Sequence, residues 1–120
     1  MSGLRERLDA LCAALPGAEK SDPWGGGHDA WKVGGKMFAC IGAVDPGVAV
    51  KTPDIETATM LIDAGVGVRA RYFHKSWVRL PDDVASDELE YRVHASYDIV
   101  RAGLTKKLQA TLAPRPGGAS

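Results

Sequence analysis

The chain has 120 residues but only two cysteines, three histidines and eight aromatic side chains, and its fifteen Lys+Arg are balanced by fifteen Asp+Glu. Zero formal net charge excludes attraction to a polyanion through a global field, so any such binding needs a local patch. Cys12 and Cys40 each lie in an apolar stretch, where two thiols read as small, reduced, buried hydrophobes rather than a disulfide framework. The longest uncharged runs fall well short of the roughly 18 residues that a spanning helix needs. Arg5, Glu6, Arg7 and Asp9 do not suit a secretory signal, so a cytoplasmic protein is expected.

Signature motifs are also missing. There is no CxxC, no HxxxH and no His-carboxylate spacing of the kind a tetrahedral site leaves, so no metal and no cofactor are expected. G-x-S-x-G and S-x-x-K are absent as well, and a thiol nucleophile would need an exposed, basic setting that neither cysteine has; a non-enzymatic protein is expected. Gly34-Gly35-Lys36 is not a phosphate loop, because Ala30 and Met37 occupy the places of its first Gly and its Ser or Thr. Gly25-Gly26-Gly27 follows no strand and opens no helix, which excludes a dinucleotide fingerprint.

What is present describes one small domain. Hydrophobic residues make up 45% of the chain and charged residues 25%, a globular balance, and the length suits a single core. Leu4, Leu8, Leu11 and Leu15 form one stripe of an amphipathic helix that Pro16-Gly17 stops. Asp22 to Gly27 reads as a loop anchored by Trp24. Ala30 to Val33 and Lys36 to Ile41 flank Gly34-Gly35, a two-residue hairpin signal, and counting outward pairs Val33 with Lys36 and Trp31 with Phe38. After the Asp45-Pro46-Gly47 turn, Val48 to Lys51 is a third strand.

Thr52-Pro53-Asp54 predicts a helix start, with Thr52 as a candidate cap and a helix running to Ala64. Val66 to Phe73 and Trp77 to Leu80 predict two more strands. A long helix from Ser86 or Asp87 carries Leu89, Val93, Tyr97, Val100, Leu104 and Leu108, with Gly103 as a possible break. The resulting class is α+β, an antiparallel β-sheet with flanking helices, over residues 1–112, followed by a disordered tail over 113–120.

One stretch stands out electrostatically. Residues 64–81 contain Arg69, Arg71, Lys75 and Arg79 and no acid, with Tyr72, Phe73, His74 and Trp77 interleaved. In a strand Arg69 and Arg71 would share a face, and arginines beside aromatics are the composition that meets phosphates and stacks on sugars or bases. Against this stands the plainer reading of a solvated sheet face with its aromatics in the core. The candidate nucleic-acid surface is Lys36, Lys51, Arg69, Arg71, Tyr72, His74, Lys75, Trp77 and Arg79, with double-stranded DNA as the partner. Two alternatives remain: a small anionic ligand bound by Trp24, His28, Trp31, Lys32, His74 and Lys75 in a pocket beside the Gly-rich loop, or a protein-interaction domain.

Leu15-Pro16-Gly17, Pro23-Trp24-Gly25, the run Lys32-Val33-Gly34-Gly35-Lys36-Met37-Phe38-Ala39, Lys51 before Pro53, the tract from Tyr72 to Trp77 with its Lys-x-Trp ending, and Ser96-Tyr97 together resemble the MmcQ/YjbR family of small bacterial proteins. The resemblance extends from Leu15 to Leu108. It implies an α+β fold in a double-wing arrangement, similar to the DNA-binding domain of a phage transcription factor, and hence a DNA-binding role.

Overall fold

The computed structural model describes residues 3–22, 27–42 and 46–115. Trp24, the glycines beside it and Asp45 lie outside the described residues, as does the tail beyond Arg115. Among the described residues the order is α1 (Leu4–Ala13), β1 (Ala18–Ser21), β2 (Asp29–Val33), β3 (Lys36–Ile41), β4 (Val48–Lys51), α2 (Ile55–Asp63), β5 (Val68–Arg69), β6 (Trp77–Leu80), α3 (Ser86–Ala102) and α4 (Lys106–Ala110). The strands form one sheet in the order β1-β2-β3-β4-β6-β5, and every neighbouring pair is antiparallel. This is the expected α+β class.

Alternation assigns the two faces. Val33, Phe38, Val48, Val50, Val78 and Leu80 point to the side where Leu4 and Leu8 of α1, Ala58 and Leu61 of α2, and Leu89, Val93 and Tyr97 of α3 complete the main core. Lys32, Met37, Cys40, Ala49, Lys51, Trp77 and Arg79 take the opposite face by the same register. There Ala49, Ala70 and Trp77 form a second, smaller apolar cluster with Met37 and Phe73.

The hairpin turns at Gly34-Gly35 as expected, with φ of 58° and 81°. Val33 does pair with Lys36, but Trp31 pairs with Ala39 and not with Phe38. A bulge opposite Trp31/Lys32 leaves Phe38 as the extra residue of β3, which lets both Phe38 and Ala39 reach the core. Phe38 then meets Tyr97 edge to face at 5.3 Å.

Four further expectations need correcting. β1 was not foreseen, because its inward residues are Ala18 and Lys20, of which only the small Ala18 is apolar; the Lys20 ammonium lies 5.9 Å from the Trp31 ring and pairs with Asp9. The cap of α2 is Asp54, which accepts from Thr57 N–H at 2.7 Å, while Thr52 instead donates its hydroxyl to the carbonyls of Asp54 and Ser76. That backbone donor also lowers the Asp54 carboxyl from its ordinary range. The long helix ends at Ala102, and Thr105 caps a separate α4 by accepting from Leu108 N–H. Finally, Arg115 binds Asp98 through two nitrogens, each at 2.8 Å, so the chain remains tied at that point of the expected tail.

Both cysteines are buried. Burial pushes both thiols up, Cys40 to about 11, so neither is a thiolate near neutral pH. Native protein should therefore react with a thiol reagent far more slowly than denatured protein, in which both sites label. Rapid labelling of either site under native conditions would show that the thiols are accessible.

Candidate nucleic-acid interface

Register brings two loops together at one end of the sheet. The Gly34-Gly35 turn joins Val33 to Lys36, and β3 runs against β4 so that its start lies beside the end of β4 at Lys51. Lys51 in turn pairs with Trp77 at the start of β6, and Arg69 at the end of β5 pairs with Val78. The β2–β3 turn and the β5–β6 connection, residues 70–76, therefore leave the sheet on the same side, with the exit of β4 between them. Three strand spacings separate their centres, about 14 Å. Two such projections are a pair of wings.

The second wing is built by its own side chains. β5 stops after two residues and not at Phe73 as expected, because Arg69 turns back to donate to the carbonyls of Ala70 (2.6 Å) and Phe73 (3.1 Å). A turn from Ala70 to Phe73 closes with a 3.3 Å backbone bond, and Tyr72 takes a φ of 72° within it. Arg69 and Arg71 consequently do not share a strand face. Phe73 stacks on Trp77, their ring centroids 4.7 Å apart, and Trp77 N–H donates to the His74 carbonyl. Trp77 is only 8% exposed, so it supports the wing from beneath and is not a surface for packing on a nucleic-acid backbone.

Ser76 is the joint between wing and sheet. Its hydroxyl lies 2.9 Å from His74 Nδ1 and accepts from Lys51 Nζ at 3.2 Å, and its N–H donates to the same imidazole nitrogen at 3.1 Å. Its carbonyl accepts from both the N–H and the hydroxyl of Thr52. Nothing in the sequence pattern marked this residue, whose importance lies in contacts across the sheet.

The cations divide into two kinds. Arg69 and Arg79 are held by neutral carbonyls, Arg79 by that of Pro46, so both keep their charge but are committed to the scaffold. Lys36, Arg71 and Lys75 are exposed, and Arg71 lies 5.6 Å from the Tyr72 ring centroid. Lys106 and Lys107 join them from α4, because Leu104 just ahead of it packs on Gly34. This pair is hidden in the sequence, where the apolar spacing runs α3 and α4 together as one helix. Acids border the cations: Glu19 faces Lys32 in register, and Asp54 and Glu56 follow Thr52.

The alternative pocket is not assembled. Trp31 and Lys32 are consecutive strand residues on opposite faces, Trp31 within the main core. His74 and Lys75 lie beyond β6, separated from β2 by two intervening strands, while His28 stands beside Asp22 at the other end of β2. Trp24 is outside the described residues. Among the described residues no group of three or more His, Cys, Asp or Glu could hold a metal ion, and no helix is long and apolar enough to cross a membrane.

Comparison with known proteins agrees with this fold. The YjbR family profile matches residues 13–99. A crystal structure from Deinococcus radiodurans, of a protein with a DUF419 domain, is similar with a TM-score of 0.77 over 89% of this chain and 86% of that one, at 22% identity. No curated protein matches the chain in sequence.

Proposed function

We propose that this chain, which belongs to the YjbR family, binds double-stranded DNA by setting its two wings against the phosphates that border a groove. The observation that carries this reading is the shared exit of the Gly34-Gly35 turn and residues 70–76 from one end of the sheet. Their spacing of about 14 Å compares with a major groove about 12 Å wide. Lys36, Lys51, Arg71 and Lys75 supply the phosphate contacts, with Lys106 and Lys107 adding charge beside the first wing. Phosphate contacts fix position and do not read bases, so binding is largely independent of sequence. Such a role belongs in the bacterial cytoplasm, where reduced thiols and accessible DNA occur together.

Salt titration of binding to a labelled duplex tests the proposal. Each phosphate contact releases condensed counterions and adds about 0.9 to the log–log slope, so four contacts give a slope near −3.6. Replacing Arg71 and Lys75 together by Ala should make the slope shallower by about 2 and weaken binding to all sequences alike. Arg69 is unsuited to this test because its loss would also release the wing from its anchor. Unchanged affinity and slope in the double variant, or no binding by the unaltered protein at low salt, would overturn the proposal.

A further inference from the structure

Tyr72 is the one aromatic side chain of the second wing that does not pack on the fold. It is 92% exposed, while Phe73 and Trp77 on the same wing stack on each other and turn toward Ala49 and Met37. It also occupies a backbone conformation that disfavours it. Tyr72 is the only non-glycine residue with positive φ among those described, and it stands third in the Ala70–Phe73 turn, where glycine or asparagine is usual. A bulky residue kept there with almost no burial to offset the strain is the pattern found at sites of contact.

The wing beneath is firm. Arg69 ties both ends of the turn, and the Phe73–Trp77 stack and the Ser76 contacts fix its base. Arg71 lies near the ring, adding a cation beside an aromatic surface that is otherwise open to solvent. A rigidly presented tyrosine with an adjacent guanidinium is suited to stack on a base, and bases inside an intact duplex already have both faces covered.

We infer that Tyr72 stacks on an unpaired base, and that the protein therefore prefers DNA carrying a bulge or other local opening to fully matched duplex. This rests on the DNA-binding reading above and adds the class of DNA bound. The test measures affinity at one fixed salt for a matched duplex and for the same duplex with a central unpaired bulge. The unaltered protein should hold the bulged DNA about tenfold more tightly, a difference within the range of one base–aromatic stack. Tyr72→Ala should erase that preference, so that the two DNAs bind alike, and Tyr72→Phe should retain it. The Arg71 and Lys75 double variant should weaken both complexes. Equal binding of the two DNAs by the unaltered protein, or an undiminished preference in Tyr72→Ala, would overturn the stacking role while leaving DNA binding intact. Failure to bind either DNA at low salt would overturn both readings.

Discussion

Gly47→Ala should melt at least about 10 °C below the unaltered protein or fail to accumulate in folded form, the largest effect expected of any single methyl group here. Gly47 has a φ of 94°, and its N–H donates to an Asp82 carboxylate oxygen at 2.9 Å. A Cβ built there would stand 2.0 Å from the Leu80 carbonyl oxygen, which is backbone and cannot swing aside. Val48 and Leu80 are paired in the sheet directly beside it, so relief of the clash must pull apart the start of the β4–β6 ladder. The left-handed backbone alone costs an L-residue about 1–2 kcal/mol, and forced overpacking adds typically about 1–3. Such a sum is a large fraction of the roughly 5–15 kcal/mol that holds a domain together.

Gly65→Ala separates the two contributions. Gly65 also has a positive φ, 78°, just after α2, but a Cβ there would meet nothing within 4 Å. It should lower the melting temperature by only a few degrees, as backbone strain without a clash. Thermal unfolding followed by circular dichroism compares the two. Equal shifts would mean that the Leu80 carbonyl moves easily and that φ alone governs both positions.

The fold was legible where one residue's chemistry decides local structure. Gly34-Gly35 announced its turn because adjacent positive φ values favour glycine, and the leucine stripe from Leu4 to Leu15 announced α1 because only one helical face collects those spacings. It was illegible where a tertiary contact replaced the usual signal. The inward side chains of β1 are a small alanine, Ala18, and a lysine near a tryptophan, Lys20, too little apolar alternation to reveal that strand. β5 was overextended because Val66 to Phe73 has strand-like composition, whereas Arg69 satisfies the Ala70 and Phe73 carbonyls that a longer ladder would have engaged.

The candidate site was half legible for the same reason. A run of cations without acids is a property of sequence, and it located the second wing at Arg71, Tyr72 and Lys75. Which cations stay available is a property of packing. Arg69 and Arg79 are used by nearby carbonyls, Trp77 is inside, and Lys106 and Lys107 arrive from a helix distant in sequence. The placement of Lys51 depends on a residue read only as part of a family resemblance, Ser96.

Ser96→Ala should destabilise the protein by about 2–4 kcal/mol, because it strands two buried backbone groups at once and each costs roughly 1–3. Ser96 is fully buried on α3, where its hydroxyl donates to the Phe38 carbonyl at 2.6 Å and accepts from Lys51 N–H at 2.9 Å. Direct pairing of β3 with β4 stops at Ala39 and Val50, so Phe38 and Lys51, next in register, are joined through this hydroxyl. The bulge at Phe38 makes the bridge necessary, since the extra residue displaces the carbonyl from its place in the ladder. Removing one oxygen thus unlinks a helix from two strands at the point where β4 delivers Lys51 to the wings. Ser86→Ala, an exposed change at the start of the same helix, should stay within about 0.5 kcal/mol and serves as the control. Urea unfolding gives both values, and amide exchange should show the Lys51 N–H losing protection in Ser96→Ala before the rest of β4. Stability of that variant equal to the control, with Lys51 still protected, would show that the two strands close directly on each other and that the hydroxyl is dispensable.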